Sequence, residues 1–478
     1  MKRPNSILIL LALFILLPSP AHAQKSLWDL SRTIERLVKE SQCCQSASVG
    51  VFVKVLKSGE IVYAKNADIP LVPSSNLKVL TSAAAFACLG PDYRYKTTLY
   101  GGPIDPSRGI IETSLYLVGS GDPTFGMPFT ETPTAVLEDF AQRLFALGLR
   151  RVEGDLVGDD SVFDREFIGK GWKTRYILDD YAAECGGLSL NANLMEVLVQ
   201  PGKVTLFPEC PAIEIVNKTS TGGYTEVEVK RESGTNRVLI TGTVGYGAPG
   251  GATITVHNPP LFTTAAFGKI LKDHGIYVSG KVKLIEPKPV KYSYRGFLPL
   301  CSHESPKLFE IVKQLNKESD NFLAQQVFRT LGAEVKGKGT LKNSEDVIRD
   351  LMDKAGVDKE GLKMADGSGL SNFNRVTTRQ LVGVLDYMYF HPHGKKFIAT
   401  LPQAGVDGTM KYRLSGSKVF AKTGTINENS SLSGYVWTAY GQVVVFSIIS
   451  NNHKLSQGFY KDLEDRIVGT IAKWPGEI

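Results

Sequence analysis

Cysteine is scarce: the six in 478 residues (Cys43, Cys44, Cys88, Cys185, Cys210, Cys301) are too few for a disulfide scaffold, although an exported chain could form a bridge or two. Histidine is nearly as rare. The nearest pair of the seven, His391 and His393, flanks Pro392 in what reads as a loop, so no zinc site is expected. No dense basic block stands out either; the formal charge of +7 is spread over the whole chain, which removes nucleic acid as a partner. The apolar run from Ile7 to Leu17 is too short for a membrane span.

That run has another reading. Lys2 and Arg3 precede it and a small-x-small site, Ala21-His22-Ala23, follows, which together make an export signal over residues 1–23. No cysteine comes after the small residues to carry a lipid. Release after Ala23, with no transmembrane anchor left, is expected to leave the protein outside the cytoplasm, in the periplasm. The remaining 455 residues exceed one ordinary domain.

From Ala47 the stretch "ASVGVFVKVLKSGEIVYAKNAD" reads as two alternating strands joined at Lys57-Ser58-Gly59. It delivers the chain to "VPSSNLKVLTSAAAFACLGP", a helix apolar nearly all round and stopped by Gly90-Pro91. After Pro91 a long stretch rich in strands and Gly/Pro turns lasts to about Pro289. Within it, "FAQRLFALGLRRVEG" (140–154) and "FGKILKDHGIYVSG" (267–280) share Phe, Leu, Gly, Val and Gly at nearly equal spacing and suggest a helix-to-strand unit used twice. From Ser305 the helical period returns, through Leu308, Ile311, Val312 and Leu315, then again through Phe322, Leu323, Val327 and Leu331. "KVFAKTGTINENSSLSGYVWTAYGQVVVFSIISNN" gives three apolar strands, and "GFYKDLEDRIVGTIAKW" an amphipathic helix. The expected organisation is a first part (24–92), an insertion of one or two domains (93–290) and a second part (291–478) that joins the first as an antiparallel sheet with helices packed on it.

One residue in the buried helix is out of place. Lys78 stands three positions after Ser75 at the helix start, so both side chains lie on one face. An ammonium there is costly. Either Lys78 snorkels out of the helix start, or desolvation lowers its pKa so that a neutral amine can take the proton of a serine nucleophile. Ser-x-x-Lys alone is weak, since Ser415 to Lys418 repeats it in a glycine turn; Ser-x-Asn recurs at Ser74, Ser189, Ser319 and Ser450, and Lys-Ser/Thr-Gly at Lys57 as well as Lys422. Ser319-Asp320-Asn321 also suits a helix cap. Gly245-x-Gly247-x-x-Gly250 matches a dinucleotide pattern, but Pro249 and a strand-like stretch after it deny the required helix.

The ordered set is specific: Ser75-x-x-Lys78 opening a buried helix, Ser319-Asp320-Asn321 between two helices, Lys422-Thr423-Gly424 on a strand. It is the signature of penicillin-binding proteins and class A β-lactamases. With "VGSGDPTF" from Val118, "SLNAN" from Ser189, "MADGSGLS" from Met364 and "LPQAGVDGTM" from Leu401, the chain resembles the DacB-like class C low-molecular-mass penicillin-binding proteins, the D-alanyl-D-alanine carboxypeptidase/endopeptidases. The 244 residues between Ser75 and Ser319 leave room for the domains that family inserts, whereas class A β-lactamases have a much shorter interval. One departure stands out: the resemblance leads us to expect an arginine directly after Ser371, but Asn372-Phe373-Asn374 intervenes before Arg375.

The resemblance implies an α+β fold, a penicillin-binding-protein/β-lactamase-like transpeptidase domain interrupted by strand-rich inserted domains. It also implies a mechanism. Ser75 attacks the carbonyl of a D-Ala-D-Ala bond in a peptidoglycan stem peptide and forms an acyl-enzyme, with Lys78 as base, kept neutral in part by Lys422. Ser319 relays a proton to the leaving amine, and Asn321 holds the peptide and orients Lys78. Lys422, Thr423 and Thr425 grip the terminal carboxylate, Gly424 leaves room for the substrate as an added strand, and backbone N–H groups of Ser75 and Thr425 hold the oxyanion. β-Lactams are implied as covalent inhibitors, and no cofactor is needed. The rivals are a serine β-lactamase, whose class A deacylating Glu-x-x-Leu-Asn pattern is not found, and a non-catalytic muropeptide-binding scaffold.

Overall fold

The computed structural model describes residues 26–287 and 293–476. The export signal at 1–23 and the expected boundary at 290–291 lie outside the described residues. Among them no helix is long and apolar enough to cross a membrane, and no three His, Cys, Asp or Glu side chains are grouped to hold a metal ion. All six cysteines are unpaired, so the bridge or two that export would permit is not formed.

The two ends of the described chain meet in one sheet. Five antiparallel strands run in the order Val419–Ile426, Asn429–Trp437, Val443–Asn451, Ser48–Val55, Ile61–Lys65. Period-two alternation divides its side chains. Val49, Val51, Val53 and Val55 pack under the helices Leu27–Glu40 and Gln457–Ala472, while Phe52, Tyr435, Val445 and Ile449 face the helices Leu77–Cys88, Asn321–Lys336 and Thr378–Phe390. Helices thus cover both faces, which is why Val443–Asn451 is buried from Val444 onward and carries apolar residues on both faces. Val419–Ile426 is left as an edge strand.

The helix Leu77–Cys88 is buried from Leu77 through Phe86. Its large side chains pack against neighbouring helices, as when Phe86 meets Phe397 with ring centroids 6.0 Å apart; each such fully buried side chain contributes about 1.5–3 kcal/mol. That burial fixes the turn Ser74–Asn76 immediately before the helix.

The middle stretch forms a second core around sheets of its own. The two halves of the sequence repeat are realised as matching units: helix Ala135–Ala146 feeds Arg151–Val152 and then Leu156–Asp159, and helix Pro259–Asp273 feeds Tyr277–Val278 and then Val282–Leu284. The corresponding strands pair in parallel at a constant offset of 126 residues, 151 with 277 and 156 with 282. Phe140 and Phe267 meet edge to face at 6.4 Å. The strand Leu298–Glu304, beyond the expected boundary, pairs antiparallel with Lys96–Gly101 and so extends a middle sheet past it. Gly250–Thr255, at the dinucleotide-like pattern, is a strand.

Candidate active site

Three distant segments converge beside the edge strand. The Ser75 turn precedes the buried helix; Ser74 holds φ at 50°, a left-handed conformation that costs an L-residue about 1–2 kcal/mol and that the packed turn enforces. Ser319 does the same with φ at 61°. The helix Asn321–Lys336 is capped not by Ser319 but by Asp320, whose Oδ1 accepts from Leu323 N at 2.9 Å. The Ser319 hydroxyl is left to accept from Lys422 Nζ at 2.8 Å.

Lys78 is fully buried, and its Nζ lies 3.0 Å from Ser75 Oγ, 2.6 Å from Asn321 Oδ1 and 2.7 Å from the Ser368 carbonyl. The last two partners can only accept. A neutral amine, with two hydrogens, gives both to them and keeps its lone pair for the Ser75 hydroxyl. Burial lowers Lys78 to about 7, against the opposing pull of the carboxylates of Asp366 and Asp320. Lys422, expected to help hold Lys78 neutral by repulsion, is itself buried beside it and held well below its ordinary range, by burial first and by repulsion from Lys78 second.

The Ser368 carbonyl is set by the loop around Asp366. This buried carboxylate accepts from the backbone N–H groups of Ser368 (3.1 Å), Gly369 (2.7 Å) and Ser371 (2.7 Å), from Asn374 Nδ2 (3.0 Å) and from Trp172 Nε1 (2.7 Å). Gly369 has φ at +89°, and a Cβ there would meet Ser74 O at 1.9 Å, so only glycine lets this loop reach the Ser75 turn. Arg375 folds back on its own loop, donating to the carbonyls of Asn372 (2.6 Å) and Asn374 (2.8 Å).

A cavity of about 390 Å³ opens over Ser75, and Ser319, Asn321 and Thr425 share its wall. Lys78, Lys422 and Gly424 are buried behind it. Thr423 is half-buried and donates its hydroxyl to Thr409 Oγ1 at 2.7 Å. For Gly424 the structure gives a different reason from substrate access: a Cβ would meet Ser431 Oγ at 2.3 Å, with Pro73 O and Asn76 N at 3.0 Å, so the glycine lets the edge strand lie against the Ser75 turn. Of the recurrent motifs, Ser415-x-x-Lys418 places its lysine over the Trp437 ring at 4.6 Å.

Sequence reasoning missed the rest of the wall. Tyr176 and Tyr181 come from the middle stretch, and Gly369, Leu370, Ile426 and Asn427 complete the lining. Tyr176 O–H donates to Asn427 Oδ1 at 2.5 Å, and Asn321 Nδ2 donates to the Tyr181 carbonyl at 2.8 Å. "GWKTRYILDDYA" carries no period or motif that could have marked these residues. A larger cavity of about 760 Å³, beside the far edge strand, has its two cations engaged, Lys54 with Asp386 and Arg379 with Asp68, each at 2.6 Å, and no serine or cysteine in its wall.

A serine against a buried lysine, a second serine–lysine contact beside it, and a helix-covered antiparallel sheet define the penicillin-binding class of serine peptidase. The chain belongs to the D-Ala-D-Ala carboxypeptidase 3 (S13) family, whose profile spans residues 30–474. It is similar to the D-alanyl-D-alanine carboxypeptidase of Actinomadura sp. (strain R39), 32% identical over 98% of this chain and 89% of that one. It is also similar to the D-alanyl-D-alanine carboxypeptidase DacB of Haemophilus influenzae, 26% identical over 95% of this chain and 94% of that one. The crystal structure of penicillin-binding protein 4 (dacB) from H. influenzae superimposes with a TM-score of 0.77 at 25% identity, covering 92% of this chain and 99% of that one. A second structure of that protein, complexed with a β-lactam, matches with a TM-score of 0.73 at 23% identity over 92% of this chain and 99% of that one. The fold is α+β, of the penicillin-binding-protein type with strand-rich insertions, and the protein is a serine-type D-Ala-D-Ala carboxypeptidase.

Proposed function

We propose that the protein is exported to the periplasm and removes the terminal D-alanine from peptidoglycan stem peptides through an acyl-enzyme on Ser75, cleaving D-Ala cross-links by the same route as an endopeptidase. The observation that carries this reading is the 3.0 Å approach of Lys78 Nζ to Ser75 Oγ, with the other two contacts of that amine confined to acceptors. Lys78 takes the serine proton as Oγ attacks, Ser319 passes a proton to the leaving amine, and Asn321 fixes Lys78. The strand of Lys422, Thr423 and Thr425 receives the terminal carboxylate, with Lys422 and Thr425 as its donors and the Thr423 hydroxyl turned to Thr409, and Gly424 keeps that strand against the Ser75 turn. Backbone N–H groups of Ser75 and Thr425 face the oxyanion; one such donor is typically worth roughly 3–4 kcal/mol of barrier. Residues 24–92 and 291–478 make up the catalytic part and 93–290 the insertion, with Leu298–Glu304 crossing back to seal the junction.

β-Lactams acylate the same serine. No carboxylate lines the cavity among the described residues to activate a deacylating water, which favours a long-lived adduct over β-lactamase turnover. Release of D-alanine from a diacetyl-Lys-D-Ala-D-Ala peptide, measured on wild type and Ser75→Ala, tests the reading together with intact-mass spectrometry after penicillin. Wild type is expected to release D-alanine and hold the drug, and Ser75→Ala to do neither. Rapid return to the unmodified mass would mean a β-lactamase, and two equally inert proteins that still bind muropeptide would mean a scaffold.

A further inference from the structure

Thr409 belongs to none of the three motifs, yet the structure builds it into their surroundings. It lies in the turn Gly408–Met410, where its exposed hydroxyl accepts from Thr423 on the edge strand. The turn is braced from the Ser319 side. Lys317, two residues before Ser319, donates from Nζ to both oxygens of Asp407, at 2.8 and 2.7 Å, and to the Leu401 carbonyl at 2.6 Å. Asp407 Oδ1 also accepts from Gln403 N at 2.8 Å. Gly408, with φ at +52°, packs so closely that a Cβ would meet Lys317 O at 2.6 Å. One short turn is therefore tied to the segment carrying Ser319 and touches the strand carrying Lys422.

A threonine hydroxyl has one hydrogen to give. Thr423 spends its hydrogen on Thr409, so the donor that remains outermost in this pair is the Thr409 hydroxyl, strengthened by the bond it accepts. Thr423 and Thr425, two apart on a strand, share a face, and Thr425 lines the cavity over Ser75. Thr409 prolongs that row of hydroxyls by one. Donors in line beside a buried lysine, with no acceptor of negative charge among them, suit a carboxylate.

We propose that Thr409 is a carboxylate-binding residue, donating to the terminal carboxylate of the D-Ala-D-Ala substrate while Thr423 polarises it. The proposal rests on the reading that the Lys422–Thr425 strand receives that carboxylate. The test compares kcat/KM for diacetyl-Lys-D-Ala-D-Ala and for its C-terminal amide in wild type, Thr409→Val and Thr409→Ser. Thr409→Val is expected to lower the acid-over-amide ratio by roughly 10- to 100-fold, through KM for the acid, as the loss of one charge-assisted bond requires. Thr409→Ser restores the ratio to within about threefold, since the donor is kept. If Thr409→Val does not fold, Thr409→Ala, a truncation of an exposed side chain, replaces it. A ratio that stays at the wild-type value, whether both rates fall together or neither falls, overturns the proposal alone. A wild-type enzyme that does not prefer the acid to the amide overturns the carboxylate reading of the strand, and this proposal with it.

Discussion

Trp172 Nε1 donates to Asp366 Oδ2 at 2.7 Å, so a residue of the middle stretch holds the carboxylate that shapes the Ser368 carbonyl beside Lys78. Both partners are buried. Trp172→Phe keeps the ring volume within reach but leaves one lone pair of a buried carboxylate unmet, which costs about 1–3 kcal/mol. The expected result is a drop in the thermal midpoint by a few degrees and a loss of D-alanine release larger than the population of unfolded protein explains. Differential scanning fluorimetry run beside the peptide assay checks both.

On the proposed mechanism the rate of acylation follows the neutral form of Lys78. With its pKa lowered to about 7 by burial, acylation by a β-lactam is expected to rise with pH through about 7 and level off above it. A plateau that begins below pH 5 would remove Lys78 as the base.

The same shift has a sign in stability. Between about 7 and the ordinary lysine value the unfolded chain binds a proton that the native state does not, so this group makes the fold more stable as pH rises across that window and less stable as pH falls through it. Lys78→Met removes the titrating group. Its denaturation midpoint is expected to be less dependent on pH between 7 and 10 than that of wild type, as read by urea titration at several pH values.

Gly424→Ala places a methyl 2.3 Å from Ser431 Oγ and 3.0 Å from the Pro73–Asn76 backbone. Ser431 Oγ is held by two bonds, donating to Pro73 O and accepting from Asn76 Nδ2, both at 2.7 Å, so it cannot yield easily. Overpacking of this kind costs about 1–3 kcal/mol. The strand is expected to move away from the Ser75 turn and the acylation rate to fall by about 100-fold, a fall of the order seen when one oxyanion donor is lost; stopped-flow acylation measures it.

Arg413, half-buried, pairs with the buried Glu464 at 2.8 Å, and Glu464 in turn takes the Ser430 hydroxyl. Burial raises the pKa of Glu464, and the arginine opposes the rise. Arg413→Met leaves that carboxylate uncompensated and is expected to cost about 3–5 kcal/mol. The double variant Arg413→Met/Glu464→Leu is expected to recover most of it, and a chemical-denaturation cycle of the four proteins decides the matter.

What could be read from the chain was what local chemistry dictates. The strand pair from Ser48, the helix from Leu77 with its one lysine and the closing strands all carry their period in consecutive residues, and the repeat was visible because Phe140 and Phe267 occupy matching places in one core. The wall formed by Tyr176, Tyr181 and Asn427 was hidden, because these residues come from turns three residues long or from a strand end and are held by distant partners, the Tyr176 hydroxyl by Asn427 and the Tyr181 carbonyl by Asn321. The function of Asp366 was hidden for a related reason: a carboxylate in a glycine-rich loop reads as a turn former until its five donors are in view. The pairing of Leu298–Glu304 was not legible because nothing in seven residues says which sheet will take them.

The pairing of Ser48–Val55 with Val443–Asn451 also sets an order of assembly. A chain still leaving the ribosome holds Ser75 and Lys78 for more than three hundred residues before it owns the strand of Lys422 that borders them. Ser75 and its helix are made early and the edge strand of the cleft late, so a chain that stops before Val419 lacks the strand that carries Lys422 and Thr425.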